Sequence, residues 1–551
     1  MPTSAGPDVA DSDLGPPLGA GIARGAALIA GLTIVSRLFG LTRTLVFSQT
    51  VGASCLGTAY VTANQVPNLL YELVLGGALT SAMVPVLARS AARAADDPAD
   101  RARVSQITSA LLTWSVIVLV PLTLAIAAAA GPIASVLNPA NAHAHCARAD
   151  MVADTATMLR VFAPQALLYG LSVVLYGLLQ AYRRFAAPTI GPAVSSLVLI
   201  SCYLAFVPLD HGLPLARLPL PAELVLATGT TLGVAALVLV AVLPTWRLRL
   251  RLRPAVRFPP GVARRAGGLA VVGVAELIVI DAASVVTITL ANGRGDTGAL
   301  VIFNYASQVF SSVSAVLALS IVTSAFPVLS AREGLVFDQT CAGSTRVALL
   351  TSWLATAVMA AVTVPAAHVL ARQPGQVPEL IEAFAVLAPG VAGATVIANT
   401  SRVMFVLGRL RIAAVGLAGS WLLVIVADVV LAELAPPRLV VAALALGNTI
   451  GQTVVAVPMV MATRRICGPA AVQGVGHAAL AGLTAGAAAA AAGVAVSLAA
   501  PVSRKLEAFA LAIPAAACAM LVFGVVAFVL DNGDLRITLA LVRRALRLRR
   551  P

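Results

Sequence analysis

Long apolar stretches follow one another along this chain from about residue 23 to residue 530, and short polar segments separate them. Each stretch reaches about 20 residues, the length with which an α-helix crosses roughly 30 Å of hydrocarbon. The pattern therefore predicts about fourteen membrane-spanning helices. They are placed at 23–46, 58–85, 105–130, 154–181, 187–207, 223–246, 266–291, 299–328, 345–370, 381–407, 411–432, 439–463, 471–499 and 507–530.

The composition agrees with this pattern. Of the 551 residues, 59% are hydrophobic and 11% are charged. A chain this apolar needs a bilayer as its solvent, and only helices or closed barrels satisfy the backbone hydrogen bonds there. Because the apolar stretches have the length of helices, the predicted fold class is an all-α polytopic membrane protein.

Two terminal segments differ from the rest of the chain. Residues 1–22 are rich in Pro, Gly and Asp and have no basic start, which predicts a disordered cytoplasmic tail and not a signal peptide. Residues 531–551 place leucines and arginines on opposite faces of a helix. This tail is predicted to lie as a basic amphipathic helix on the cytoplasmic membrane surface.

The arginines orient the predicted helices. When the loops are assigned to alternate sides, the side of the N-terminus holds most arginines, including those of 247–265 and 535–551. By the positive-inside rule, both termini are then cytoplasmic. The net charge of +14 follows from these loops. We therefore expect anionic membrane lipids as partners, and no nucleic acid.

Catalytic motifs are not found in the sequence. Lys505 is the only lysine and lies outside any GxxxxGK[ST] pattern, and the scattered histidines form no HExxH. We read His143, His145 and Cys146 as part of a hydrophilic external loop. The six cysteines stand at unrelated spacings, which predicts neither a disulfide framework nor a metal site. We expect a protein that is not an enzyme and that holds no cofactor.

The chain repeats itself weakly. Three landmarks recur in the same order in its two halves, although chance recurrence of proline in apolar helices is an alternative explanation. The pairs are 52–60 with 293–301, 83–93 with 325–334, and 161–170 with 386–395.

The repeats predict two six-helix lobes around a central cavity, as in secondary transporters that work by alternating access. The predicted domains are a first lobe at 23–246, a basic inter-lobe loop at 247–265, a second lobe at 266–463, and two further helices within 471–530.

Charged residues deep in a predicted span mark the cavity, because each costs about 3 kcal/mol in lipid and survives mainly where it faces water or a partner. Arg37 and Arg43 lie in the first span, and a guanidinium suits phosphate or carboxylate. Glu72, one turn after Pro67 in the second span, either pairs with these arginines or acts in gating.

Acidic residues lie in the second half. Asp281 and Asp428 fall in the seventh and eleventh spans, and Thr449 is one of several polar residues in the twelfth. Together they predict an oxygen-lined site for a coupling cation, Na⁺ or H⁺. The alternative is that each carboxylate is paired with a neighbouring polar group.

Several segments resemble a known family. LTIVSRLFGLTRTLVFSQTVGAS (32–54), TANQVPNLLYELVLGGALTSAMVPVLAR (62–89), FAPQALLYGLSVVLYGLLQAYRRFAAPTIGP (162–192) and 303–330 are similar to the MurJ (MviN) family of lipid II flippases, within the multidrug/oligosaccharidyl-lipid/polysaccharide exporter superfamily. The resemblance implies two lobes forming a V around a cationic cavity, with the last two helices forming a groove for the lipid tail.

The resemblance also implies a function. It predicts a protein of the bacterial cytoplasmic membrane that moves undecaprenyl-diphosphate-linked peptidoglycan precursor from the inner to the outer leaflet, driven by membrane potential or a cation gradient. Cell-wall synthesis or division proteins would be its partners. The residues leave open a flippase for another polyprenyl-linked glycan, a drug exporter, an intramembrane glycosyltransferase and a division scaffold.

Substrate-binding residues carry over by position. Arg37 and Arg43 match the family's arginines near the diphosphate, and Asn68 matches the asparagine after the second-helix proline. Glu72 and Gln308 stand where the family has a basic residue and an arginine. With Thr58, Tyr71 and Ser311 they depart from the family pattern.

Overall fold

The computed structural model describes residues 18–72, 97–210, 215–258, 262–319, 334–500 and 504–530, together with residues 87, 90, 91, 93 and 329. At 18–30, 72, 216, 262–276, 318 and 319 it describes the backbone without the side chains. The predicted amphipathic tail at 531–551 and most of the predicted disordered tail at 1–22 therefore lie outside the described residues.

The described chain is helical throughout. Its helices are α1 (Leu18–Thr50), α2 (Cys55–Glu72), α3 (Pro98–Ala128), α4 (Ala130–Leu137), α5 (Arg148–Phe162), α6 (Gln165–Ala181), α7 (Ala186–Asp210), α8 (Leu220–Trp246), α9 (Val262–Arg294), α10 (Ala299–Val313), α11 (Gly334–Ala361), α12 (Thr363–Leu370), α13 (Gln376–Leu387), α14 (Gly390–Val406), α15 (Leu410–Leu434), α16 (Val440–Cys467), α17 (Val475–Leu498) and α18 (Lys505–Leu530). Helix α10 continues as a π-helix over Ser314–Leu319. The predicted all-α polytopic class is confirmed.

Twelve segments in the described chain are long and apolar enough to cross a membrane. They coincide with the third to fourteenth predicted spans. Helices α1 and α2 are not among them, and they carry polar residues such as Arg37, Arg43 and Asn68. The total of fourteen spans remains a prediction.

Four of the predicted spans are interrupted. In the third and ninth, one residue separates two helices, Ala129 between α3 and α4 and Val362 between α11 and α12. In the fourth and tenth, the Ala-Pro pairs at 163–164 and 388–389 separate α5 from α6 and α13 from α14. Proline has no backbone N–H to continue a helix. The same interruptions thus recur at corresponding places in the two halves.

Helices pack mainly within two groups. In the first, α7 packs against α1 and α8, and α2 packs against α5. In the second, α16 packs against α14 and α15, and α9 packs against α15. Of the landmark pairs behind the predicted lobes, 83–93 and 325–334 lie largely outside the described residues. The two-lobe division remains a prediction.

The last two helices pack on α11 through small residues. Ala357 and Ala361 of α11 share a core cluster with Ala485 and Ala489 of α17, and α18 adds further alanines. Small side chains let helix backbones approach closely, which is how helices associate in a membrane without a hydrophobic driving force.

The expectation of no disulfide was wrong. Cys55, the first residue of α2, forms a disulfide with Cys146 in the loop before α5. The two cysteines are 91 residues apart, and they meet because α2 packs against α5. Sequence spacing carries no signal for a pair that only tertiary packing brings together.

Candidate functional site: a cavity and its closed end

Helix α1 carries the two arginines predicted to meet the substrate. Most side chains around Arg37 are exposed, and Ile34 and Leu38 are at least half exposed. Between Thr44 and Val51, in contrast, most residues are buried. Arg37 is exposed and Arg43 half-buried. The two guanidiniums therefore occupy different environments along one helix.

A cluster of tyrosines lies near Arg43. The Tyr60 hydroxyl lies 2.8 Å from that of Tyr203 and 2.7 Å from that of Thr230, all three buried. Arg43 lies within electrostatic range of Tyr60, Tyr169 and Tyr203. The sequence predicted none of these tyrosines, because single aromatic residues on three separate helices show no spacing pattern.

Asn68 belongs to the same region. The Tyr169 hydroxyl donates to Oδ1 of Asn68 at 3.0 Å, and the rings of Tyr71 and Tyr169 lie 4.3 Å apart. The structure thus brings Asn68 near Arg43 through Tyr169. The side chain of Glu72, the last residue of α2, lies outside the described residues.

Gln308 lies on α10, one of the helices of the second group that contacts α2. It is half-buried, and its backbone carbonyl accepts a hydrogen bond from Ser312 at 2.8 Å. Its neighbours Ser307 and Ser311 line a separate cavity of 220 Å³, which lies mainly among helices of the second group and is also lined by Gln65 of α2.

That second cavity contains Asp428, whose side chain is 1% exposed. Thr287 of α9 donates to its Oδ2 at 2.9 Å. Within the described residues, Oδ1 of Asp428 and Oδ1 of Asn448 are buried without a hydrogen-bond partner. Both residues line the cavity, so it presents carboxylate, hydroxyl and amide oxygens together.

The structure does not group Asp428 with both of its predicted companions. Thr449 donates its hydroxyl to the carbonyl of Val386 at 2.8 Å and does not line the cavity. Asp281 also lies outside the lining, almost two turns before Thr287 on α9. Beside Asp428 lie Thr287, which was not predicted, and Asn448, one of the polar residues of the twelfth span from which a hydroxyl or amide ligand was expected.

The two groups of helices meet at one end of the molecule, which we call the closed end. It comprises the α1–α2 turn (51–54), the loop 138–147 and the α9–α10 turn (295–298). Asn292 donates to Oγ1 of Thr62 at 3.0 Å, and Asn141 donates to the carbonyls of Asn292 and Gly295 at 2.9 and 2.8 Å. These bonds join the groups through amide side chains.

A second set of contacts closes the same end. Arg372, between α12 and α13, donates from Nη1 to the carbonyls of Thr50 and Val51 at 2.6 and 3.2 Å. Gln376 donates to the carbonyl of Ala53 at 3.2 Å. A guanidinium here satisfies carbonyls left over at the C-terminus of α1.

A helical chain with twelve described segments that are long and apolar enough to cross a membrane is a multi-pass membrane protein. The chain belongs to the MurJ family: residues 47–513 match the family model described as lipid II flippase MurJ. Family membership and the apolar helices together indicate an inner-membrane protein.

Curated relatives match parts of the chain. A probable lipid II flippase MurJ of Synechocystis sp. is 29% identical over 249 residues, 43% of each chain. A lipid II flippase MurJ of Burkholderia cenocepacia is 28% identical over 178 residues, 32% of this chain and 33% of its own. The chain thus matches less than half the length of either relative.

Solved structures share the fold. A lipid II flippase MurJ in an inward closed conformation superposes with a TM-score of 0.70 at 14% identity, covering 91% of this chain and 99% of the other. An inward-facing multidrug resistance transporter of the MATE family gives 0.63 at 14% identity, covering 79% and 95%.

Proposed function

We propose that this protein is a lipid II flippase, a transporter that moves a polyprenyl-diphosphate-linked peptidoglycan precursor from the inner to the outer leaflet. The observation that carries the proposal is the match of residues 47–513 to the MurJ family model. Lipid II is therefore its substrate.

In this mechanism the diphosphate meets the arginines of α1. Arg37 is exposed and takes the headgroup first, and Arg43 waits further along the helix beside the tyrosine cluster. Arginine forms paired hydrogen bonds with phosphate oxygens. Tyr169 and Asn68 offer neutral hydrogen-bonding groups for the sugar and peptide part.

The closed end faces the outside in this proposal. Disulfides persist on the oxidising side of a bacterial membrane, and Cys146 lies in a closed-end loop, bonded to Cys55 just after the α1–α2 turn. This supports a cytoplasmic position for the start of α1 and the end of α18, in agreement with the prediction from the arginine distribution. The recurring helix interruptions support two lobes that rock about the closed end.

Coupling is the next part of the proposal. Membrane potential acts with about 2.3 kcal/mol per charge per 100 mV, so a negative interior returns unloaded arginines inward. Na⁺, if it is the coupling ion, would be held by Asp428, Thr287 and Asn448. Their oxygens suit a hard cation, and Oδ1 of Asp428 and Oδ1 of Asn448, which have no hydrogen-bond partner among the described residues, would be free to coordinate it.

The flipping experiment uses purified protein in proteoliposomes with fluorescent lipid II. Arg37→Ala and Arg43→Ala should each abolish transfer, whereas Arg409→Ala, an exposed arginine between α14 and α15, should leave it intact. Wild-type rates in both α1 variants would contradict the role of the arginines. Failure of the wild-type protein to flip lipid II while it flips another polyprenyl-linked glycan would contradict the substrate.

The cation experiment measures thermal unfolding with and without Na⁺. Wild-type protein should gain stability with Na⁺ and Asp428→Asn should not. Glu433→Gln removes a carboxylate that pairs with Arg294 at the exposed end of α15, so it should keep the Na⁺ response. An Asp428→Asn protein that responds to Na⁺ like the wild type would overturn this site.

A further inference from the structure

The segment between α8 and α9 lies against α3 instead of crossing freely between the two groups of helices. We call residues 247–258 the strap. Arg253 N and Ala255 N donate to the hydroxyls of Ser109 and Thr113 at 3.1 Å each, and Trp114 Nε1 donates to the carbonyl of Val256 at 3.0 Å.

Nearer the start of α3 the contacts continue in register. Arg101 donates to the carbonyl of Leu248 at 3.0 Å, and Ser105 donates to that of Arg251. Positions 101, 105, 109 and 113 are four residues apart, so they form one face of α3. The strap is thus fixed along a little over three turns of that helix.

The strap has two different sides. Leu248 and Leu250 are half-buried and pack on a core cluster that includes Ile107 and Leu178. The strap's arginines are exposed. They are Arg247, Arg249, Arg251, Arg253 and Arg257. With Leu248 and Leu250 packed against the protein, the strap's arginines remain exposed.

Three of these arginines share one groove with α3. It has a volume of 690 Å³ and is lined by Arg249, Arg251 and Arg253 together with Arg101, Ser105 and Gln106. No Asp or Glu lines the groove among the described residues. The groove is therefore a concentration of positive charge with hydroxyl and amide groups beside it.

Two described carboxylates at the start of α3 have partners other than the groove's arginines. Asp97 accepts a hydrogen bond from Ala99 N at 2.8 Å as the N-cap of α3, and Asp100 pairs with Arg93 at 3.7 Å. In the described part of the chain, the ion pairs involve none of the groove's arginines. Among the residues that the structure describes, no carboxylate neutralises these arginines.

The groove lies at the level of lipid headgroups. Leu239, Leu243 and Trp246 form one outward stripe of α8, exposed by 67%, 62% and 80%, and the strap begins directly after Trp246. An exposed Trp at the end of an apolar stripe is typical of the membrane interface.

We propose that this groove binds the phosphate of an anionic phospholipid of the cytoplasmic leaflet. Arginine forks bind phosphate oxygens in pairs, and basic pockets between helices on the cytoplasmic side bind anionic headgroups. The site is separate from Arg37 and Arg43, and it anchors the strap and α3 to the membrane surface. It goes beyond the proposed transport activity, which does not require it.

The test uses tryptophan quenching by lipid probes. The full chain is placed in phosphatidylcholine vesicles with increasing brominated phosphatidylglycerol or, separately, brominated phosphatidylcholine. Trp246 and Trp114 flank the strap, so brominated phosphatidylglycerol should quench with a saturable component that the phosphatidylcholine probe lacks. Trp246→Phe should remove much of that component.

Two triple variants carry the same loss of charge. R249Q/R251Q/R253Q should lose the saturable component, whereas R409Q/R411Q/R464Q, exposed arginines outside the strap, should keep it. For the wild type, raising salt from about 0.1 to 1 M shortens the screening length from about 10 to 3 Å and should weaken the component without any mutation.

Three outcomes overturn the proposal. Equal quenching by both probes in the wild type means that the groove has no preference for an anionic lipid. Saturable quenching retained in R249Q/R251Q/R253Q places the site elsewhere. Displacement of the brominated phosphatidylglycerol by stoichiometric lipid II identifies a substrate-loading site in place of a phospholipid site.

Discussion

Gly298 and Gly334 both have a left-handed backbone, but only one of them lies in close contact with another part of the chain. Gly298 has φ 89° and Gly334 has φ 59°. A Cβ on Gly298 would lie 2.7 Å from the carbonyl oxygen of Ala53, whereas a Cβ on Gly334 would meet nothing within 4 Å. Gly298 is the N-cap of α10 and Ala53 lies in the turn before α2, so this contact joins the two groups of helices at the closed end.

Gly298→Ala should therefore loosen the closed end, and Gly334→Ala should not. Both variants bear the left-handed cost of about 1–2 kcal/mol, but only Gly298→Ala adds a collision with Ala53. Hydrogen–deuterium exchange should rise in peptides 49–58 and 293–301 of Gly298→Ala alone. Equal exchange in both variants would show that the Ala53 contact does not maintain closure.

At the scale of elements, the hydrophobic pattern predicted the helices well from the third span onward, because apolar length is a direct requirement of the bilayer. The interruptions at Ala129 and Val362 were not predicted, since no proline or glycine stands at either residue. The Ala-Pro breaks were noticed as repeat landmarks but not as helix ends.

The site was predicted less completely than the helices. Arg37 and Arg43 stood out because a charge in an apolar span is rare, and Asp428 stood out for the same reason. Thr287 and Tyr169 did not, because hydroxyl groups are common in such helices and acquire a role only through a partner on another helix. The contacts of the strap with α3 could not be predicted from the sequence either, because the hydroxyls of α3 acquire their role only through partners in a distant segment.

The Cys55–Cys146 disulfide joins α2 to the loop before α5, and we expect it to contribute measurably to the free energy of unfolding. Removing it with Cys55→Ser and Cys146→Ser should lower stability by about 2–4 kcal/mol, as for natural disulfides that close long loops. Before reduction, mass spectrometry of alkylated protein should find both cysteines unmodified and joined in one cross-linked peptide pair. The half-buried thiol of Cys202 supplies the free-cysteine control.

Alkylation of Cys55 and Cys146 without reductant would contradict the disulfide. If the double serine variant unfolds with the same free energy as the wild type, the disulfide does not stabilise the loop 138–147, even where it is present in the wild type. That loop carries Asn141, so the two results separate the bond itself from its effect on closure.

At the scale of the whole molecule, two separate sets of hydrogen bonds hold the two groups of helices together at the closed end. Asn141 and Asn292 join the groups on one side, and Arg372 joins the end of α1 to the α12–α13 loop on the other. Alternating access needs all of these bonds to break in the outward-open state. Neutral amide bonds and a guanidinium on carbonyls suit this, because each can exchange its partner for water.

A covalent lock tests whether this end must open. A Cβ on Gly293 would lie 3.7 Å from Cβ of Pro139, within the range of a disulfide. Pro139→Cys with Gly293→Cys should therefore cross-link the two groups under mild oxidation. Lipid II flipping should then stop, because the closed end can no longer separate, and should return on reduction.

The controls for the lock are the two single variants and the wild type carried through the same oxidation and reduction. The wild type matters because the reductant also reaches Cys55–Cys146. If it flips normally after reduction, recovery of the double variant reports release of the engineered bond. Flipping at the wild-type rate by fully cross-linked protein would mean that lipid II crosses without separation of Pro139 from Gly293, and the rocking mechanism would fail.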